Sequence, residues 1–383
     1  MSEYIDLPQD MLLEILVRVP AEDLVKFTAV CKSWNSLIKN PNFISTHLGK
    51  TISSSNSRRL LLFRLCSWEE KPPLRVVEKY SLRFDNEDVD EYKQLHFPTN
   101  KFRSVSSFFS VVGICNGLVC LEERDYNYIL WNPVIRKAIR LPEPSVRFLN
   151  NHYGLVFTGF GFDSKNNDYK LLRFVVSEVE LDYDSMEFEA EVYSLNANCW
   201  TNITSIAPKY IPCYDYPRHY ANSFVNGAIH MLACDSKVGS ERNLILAFDV
   251  SEQVFSEITL PDNLSNEFFL HAELLKYRQS SIVIMTWKSV GFMCIQTDLW
   301  VMKEYGVATS WTKDEQVFVA RKDGIASLDI KTKHSEVFGV RPQEEDVVVD
   351  SYVESLVLLD KCCSNARWDV ISMDEDDANS THI

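Results

Sequence analysis

Spacing decides what the reactive side chains of this chain can do. A phosphate-binding loop needs a run of glycines whose backbone N–H groups face the ligand. Gly159-Phe160-Gly161 is the only Gly-x-Gly pair, and no third glycine follows three residues on. A helix-borne zinc site needs two histidines four apart, whereas His47, His96, His152, His219, His230, His271, His334 and His382 stand singly and far from one another. A serine nucleophile belongs in a Gly-x-Ser-x-Gly elbow, and that pattern does not occur. Carboxylates are plentiful, and two set across a cavity can hydrolyse a glycoside, but they fall in runs that read as solvated loops. The sequence therefore offers no catalytic residue, no metal ligands and no cofactor motif.

Those acidic runs bear on binding instead. Residues 85–91 and 178–191 both interrupt a β rhythm, so they belong on exposed loops or hairpin tips, where binding specificity usually resides. In the second run Glu178, Glu180, Asp182 and Asp184 surround Tyr183, with Met186 and Phe188 following. Acids of this kind steer a basic protein, and apolar neighbours anchor it. These five residues are the candidate target-binding set, with a merely solubilising loop as the plain alternative.

Composition points the same way. A formal charge of -15 over 383 residues argues against a nucleic-acid groove and favours a basic partner, or one not chosen by charge. The amino terminus carries no apolar run behind positive residues, and no window approaches about 18 uninterrupted apolar residues. The expectation is a protein away from membranes, in the cytoplasm with the nucleus as a second compartment. Ten cysteines without a Cys-x-x-Cys pair read as reduced, mostly buried small hydrophobes.

Two kinds of element must position these residues. Leu12, Ile15, Leu16 and Val19 follow one helical face from about Pro8 to about Arg18. Pro20 interrupts it. Leu24, Phe27, Val30, Trp34, Leu37 and Ile38 continue the spacing through two more short helices until Asn40-Pro41. Three helices of this size cannot bury all that apolar surface among themselves, so part of it is a docking surface for another chain.

Beyond a Ser-rich polar linker the helical rhythm gives way to short runs such as Leu60 to Leu65, Ser110 to Leu121, Lys170 to Val176 and Tyr352 to Leu359. Five stretches share a hairpin form, at 129–142, 192–203, 247–261, 298–313 and 327–340, with Asn or Asp near the turn to bond the backbone two residues on. Trp131, Tyr193, Phe248 and Trp300 mark equivalent places at spacings of 62, 55 and 52 residues, and with Trp200 and Trp311 they read as packing residues. Asn116 and Gly117 suit a tight turn. The expected fold class is α+β by segments: a small three-helix unit, then a large all-β domain, a β-propeller of about six degenerate blades, with a pair of β-sandwiches as the competitor. The expected divisions are 1–48, a linker at 49–59, the β domain at 60–368 and a disordered acidic tail at 369–383.

Leu7-Pro8, Ile15-Leu16, Val19-Pro20, Leu24 and Val30-Cys31-Lys32-Ser33-Trp34 together resemble an F-box. Gly113 to Leu121, Leu130-Trp131-Asn132-Pro133, Gly161-Phe162-Asp163 and Asp168-Tyr169-Lys170 resemble the F-box-associated domain of plants. Asp298 to Met302 and Ser351 to Val357 are similar to the S-locus F-box and S-locus F-box-like branch. The resemblance implies a non-catalytic substrate receptor of an SCF-type cullin-RING ubiquitin ligase. It would dock a Skp-type adaptor and, through it, the cullin and RING subunit. Leu7, Pro8, Leu12, Ile15, Leu16, Leu24, Val30, Cys31 and Trp34 would then face the adaptor or the fold beneath. The branch resemblance implies a basic pistil S-ribonuclease as target, with another plant protein as the alternative. One departure from the pattern is Glu22-Asp23, which stand where many relatives carry a basic residue and bear on pairing with particular adaptor paralogues. A propeller enzyme or sugar-binding protein with a helical leader, and an adaptor complex without a cullin, are the other classes.

Overall fold

The computed structural model describes residues 8–54, 59–69, 75–86, 88–97, 109–123, 127–146, 154–177, 186–213, 224–235, 242–266, 272–277, 280–289, 295–313, 316–321, 324–329, 334–338, 344–361 and 369–372. The amino-terminal unit has four helices where three were expected: α1 (Gln9–Leu16), α2 (Ala21–Phe27), α3 (Lys32–Ile38) and α4 (Pro41–Ser54). The proline expected to end the last helix begins the next one. A first helical position needs no N–H donor, and Asn40 caps it, its Oδ1 accepting from the Asn42 N–H at 2.9 Å. α4 therefore runs on through much of the expected linker, held down by buried Phe43, Ile44, His47 and Leu48.

The β body follows in blades. β1 (Leu60–Glu69), β2 (Arg75–Phe84) and β3 (Glu91–Leu95) open the first. β4 (Ser110–Cys115), β5 (Leu118–Glu122), β6 (Tyr128–Asn132) and β7 (Lys137–Arg140) make the second, and β8 (Gly154–Asp163), β9 (Asp168–Ser177), β10 (Glu187–Ser194) and β11 (Cys199–Asn202) the third. The fourth holds β12 (Ile211–Pro212), β13 (Phe224–Val225), β14 (Ala228–Asp235), β15 (Arg242–Asp249) and β16 (Val254–Thr259). The fifth holds β17 (Ala272–Tyr277), β18 (Ser281–Ser289), β19 (Ile295–Met302) and β20 (Trp311–Lys313). β21 (Gln316–Arg321), β22 (Gly324–Asp329) and β23 (His334–Phe338) form a three-stranded sheet. β24 (Glu344–Tyr352) then returns to pair with β1 and completes the first blade.

Full blades thus number five rather than about six. The hairpin at 327–340 is present as β22 and β23, but the next strand along the chain, β24, closes the first blade instead of completing a sixth. The axial strands β24, β4, β8, β14 and β17 meet their neighbours in turn, an arrangement that two packed sandwiches do not have. Each of the five hairpins read from sequence is formed as a pair of adjacent antiparallel strands. The apolar run 352–359 is not a strand. Beyond Tyr352 it is irregular and buried. The tail expected to begin at 369 starts with a short strand, β25 (Asp369–Ser372), which pairs with the outer edge of β7.

Polar side chains bind the turns at one end of the body. Asn132, Asp163 and Asp249 each accept from the backbone N–H two residues on, which fixes the hairpin reversals. Asp163 also pairs with buried Lys170 at 2.7 Å and accepts from Ser251, while Lys170 donates to the Val250 carbonyl, so the third blade is fastened to the fourth. Burial pushes the Asp163 carboxyl up, but its bonds from Lys170, Asn166 and Ser251 outweigh this and hold it well below the carboxylate range. Asn226 donates to the Ser280 carbonyl between the fourth and fifth blades, and Lys276 of the fifth reaches Ser351 of the first at 3.2 Å. That bridge passes from the fifth blade to the first directly.

A further seam joins the first and second blades. Asn116 and Gly117 turn with φ of 50° and 81°, and a Cβ on Gly117 would press within 2.6 Å of the Val353 carbonyl. The Tyr352 hydroxyl donates to the Gly117 carbonyl, and fully buried Asn132 donates to the carbonyls of Ser355 at 3.0 Å and Val357 at 2.9 Å. Trp131 beside it lies edge-on to Tyr80 and Phe97, at 5.1 and 5.2 Å between centroids. An Asn132→Ala chain leaves two buried carbonyls without that donor and should lose roughly 2–4 kcal/mol of stability. Thermal unfolding measures the loss, and hydrogen exchange should show residues 353–361 opening before the rest.

Candidate functional site

The apolar surface of the four helices divides into two sets that periodicity alone had merged. Leu16 and Leu24, at 1% and 0% exposure, are core, packed in one cluster with the first two blades. Leu12 and Trp34 are half-buried against that cluster, and Trp34 leans on Phe27 at 5.6 Å. Pro8 and Cys31 are exposed, as are Ile15 at 50% and Val30 at 63%. Cys31 caps α3, its Sγ accepting from the Trp34 N–H at 3.5 Å. Leu7 lies outside the described residues.

Met11 was missed by the sequence reading and is 55% exposed. It stands four residues before Ile15, so the two side chains adjoin on the outer side of α1, and that spacing was the available signal. Together with Asp10, Glu14 and Arg18 they line a shallow depression whose charged rim is held by an Arg18–Glu14 pair. An apolar strip rimmed by charge on an exposed helix suits a protein partner rather than a small substrate.

Glu22 takes an unexpected role. It begins α2 but reaches across to the first blade, where its carboxylate pairs with Lys93 of β3 at 2.5 Å. The Lys93 hydrogen bond, aided by the charges of Lys93, Lys26 and Arg136, holds its carboxyl below the usual range against burial. Glu354 of the closing segment faces the same group, its own carboxyl pushed up by burial and by Glu22.

Other candidates resolve into structure. Gly49-Lys50-Thr51 carries the end of a phosphate-loop signature, but it lies inside α4 with Ile44 at the place of that signature's first glycine. Cys115 is buried at the end of β4 and turns into a strand rather than a helix, and burial pushes its thiol up to about 12. Trp200 and Trp311 pack as expected, and each also donates to a neighbouring blade, to the carbonyls of Pro142 and Thr259.

The acidic candidates Glu178, Glu180, Asp182, Tyr183 and Asp184 lie outside the described residues, between the ends of β9 and β10. What adjoins them is described. Glu187 is exposed, and Glu189 is half-buried with its carboxyl pushed up by burial and by the charges of Glu187 and Glu191. Met186 and Phe188, expected as anchors, pack against the core between the third and fourth blades. The other acidic run forms the exposed β2–β3 turn, where Asn86 donates to Asp90 at 3.0 Å.

Comparison with known proteins decides the family. Residues 74–361 match the F-box associated beta propeller domain, and residues 5–46 match the F-box domain. The chain belongs to the F-box proteins with an associated β-propeller domain. It is 27% identical to the F-box protein CPR1 of Arabidopsis thaliana over 333 residues, 82% of this chain and 73% of that one. It is also 27% identical to the F-box/kelch-repeat protein At3g23880 of the same plant, over 80% of this chain and 78% of that one. Among solved structures, a β-1,2-mannobiose phosphorylase from Listeria innocua matches over 67% of this chain and 78% of that one, with TM-score 0.21 and 9% identity, a likeness from which nothing follows. Among the described residues no helix is long and apolar enough to cross a membrane.

On α4 the helical unit carries a buried, pH-sensitive group. The imidazole of His47, 2% exposed, has its Nε2 at 2.9 Å from the Val19 carbonyl and no partner for Nδ1. Burial lowers its pKa from the usual 6.5, against the Val19 bond. A second proton would need an acceptor at Nδ1, so the unfolded chain takes it up more readily. The sign follows: stability is full above the unfolded pKa and falls as pH drops through it. Melting of the F-box should drop between about pH 7.5 and about pH 5.5, and His47→Gln should remove part of that slope.

Proposed function

We propose that this chain is the substrate-recognition subunit of an SCF-type cullin-RING ubiquitin ligase. Its F-box docks a Skp-type adaptor, and its β-propeller holds a target protein within reach of a ubiquitin-charged enzyme carried by the cullin. The acceleration is proximity, a raised effective concentration of target lysines, while bond-making lies on other subunits. The observation that carries this reading is the exposed Met11 and Ile15 strip on α1, with exposed Val30 after α2, on a unit that matches the F-box domain. Leu7, Pro8, Leu12, Cys31 and Trp34 complete the proposed docking face, whereas Leu16 and Leu24 support it from within.

For the target, the acids bounded by β9 and β10 favour a basic protein, and -15 of overall charge steers it with a strong dependence on salt. A pistil S-ribonuclease is one such protein. The residues behind that finer reading do general structural work, however: Trp300 belongs to blade packing, and Tyr352 and Ser355 to ring closure. A propeller closed this way keeps them whatever it binds, so the broader class, a receptor for a basic plant protein, is the reading preferred.

Two measurements test this. Ile15→Asp should lose at least about 1.4 kcal/mol of adaptor binding, a tenfold weakening, with an unchanged melting temperature, because the side chain faces solvent. Leu16→Asp should instead unfold the F-box, as a charge enters a closed core. Equal adaptor binding by Ile15→Asp and the unaltered chain overturns the docking face. For the target face, changing Glu178, Glu180, Asp182 and Asp184 to the amides should slow capture of basic proteins from plant extract and flatten its salt dependence. Unchanged capture at low and high salt contradicts that assignment.

A further inference from the structure

We propose that Glu22 and Lys93 are positioning residues that fix the angle at which the F-box is held on the β-propeller. The consequence for ubiquitin transfer rests on the ligase reading, but the joint itself does not. Glu22 from α2 pairs there with Lys93 from β3, and the charges of Arg136 from the β6–β7 turn and Glu354 from the segment that closes the ring act on the same pair. Only the first belongs to the F-box. The other three come from the first blade, the second blade and the seam between them.

The arrangement is directional. Of the two acids whose charges act with Lys93, only Glu22 comes from the F-box, so the Glu22–Lys93 pair forms only when α2 stands where it does. Rotation of the F-box would draw the partly buried Glu22 carboxylate away from Lys93 and Arg136. Arg136 is held with φ of 53°, a left-handed turn position that points the residue by backbone geometry rather than by side-chain choice. Below the charges, Leu16, Val17, Ala21 and Leu24 pack in one cluster with Leu95 and Tyr352. Apolar packing resists separation but tolerates sliding. A charge network sets register, as mixed charges do across other interfaces. An isolated surface pair contributes little, and it is the shared network that gives this one its weight.

A receptor that holds its target on the propeller passes every tilt of the F-box on to the target lysines as a displacement, since the adaptor and cullin are reached only through the F-box. Glu22 therefore acts through geometry.

The test is the distance between spin labels carried on unnatural ketone residues at exposed Ser45 and Ser256, measured by pulsed electron resonance on the full chain. The unaltered chain should give one narrow distribution. Glu22→Lys and Lys93→Glu should each broaden or shift it, Lys93→Gln should do so less, and the Glu22→Lys, Lys93→Glu double exchange should narrow it again. Thermal melting alongside identifies any variant that has unfolded, and the milder Lys93→Gln keeps the comparison available. Single variants indistinguishable from the unaltered chain, or a double exchange as broad as the singles, overturn the proposal. Adaptor affinity measured on the same samples should not change. Loss of adaptor binding by every sample, the unaltered chain included, would remove the ligase reading and leave the distance result to stand or fall by itself.

Discussion

Asn132 holds the seam of the ring, and most of the molecule leans on that seam. Its side chain joins residues more than two hundred positions apart, donating to Ser355 and Val357 from a site with no exposure. Loop-closure entropy grows only slowly with such separation, so the cost is modest provided that the local fit is good. The fit is supplied by Gly117, which leaves room for Val353, by Tyr352 on the Gly117 carbonyl, and by Lys137 on the carbonyls of Leu359 and Lys361. These contacts place β24 at the axis of the first blade, and that placement gives five full blades and a three-stranded remainder. The F-box packs against the same seam, since Leu16 and Leu24 share one buried cluster with Trp131, Tyr352 and Leu356. What closes the ring also carries the docking surface.

The motifs that mark the family in sequence are largely this machinery. Trp131 and Asn132 fill and fasten the seam, Asp163 and Lys170 tie the third blade to the fourth, and Asp168 secures the β10–β11 turn through Ser194 and the Asn196 N–H. Their buried charges and displaced carboxyl resemble an active site only until the partners are named. Each partner is a turn or a neighbouring blade. In the proposed reading, binding falls instead to the outer side of α1, which carries Ile15 of the F-box pattern, and to the segment between β9 and β10.

Legibility followed locality. The hairpins could be read because strand alternation and the Asn or Asp of the turn sit within a dozen residues of each other, and Asn132, Asp163 and Asp249 do what that pattern requires. Blade number could not be read, because the hairpin at 327–340 looks like the others and only the pairing of β24 with β1 shows that, among the described residues, its sheet has three strands. Residues 353–359 read as a strand because they are apolar, yet several of their carbonyls are met by Asn132 and Lys137 from the second blade. Pro41 was read as a stop because proline serves both ends of helices, and Asn40 as a cap decides which. In the F-box, Ile15 and Leu16 share one apolar rhythm, and only the position of the β body says that the second is core. Met11 was passed over for the same reason.

The account holds that one chain presents two separate binding surfaces on a latched scaffold, with the adaptor touching only the F-box. Hydrogen exchange on the full chain, with and without a Skp-type adaptor, measures this most directly. Protection is predicted in α1 and around residues 28–36, with the turns that latch the blades exchanging at the same rate in both states. Protection confined to the propeller, or adaptor binding that leaves α1 unprotected, would contradict it.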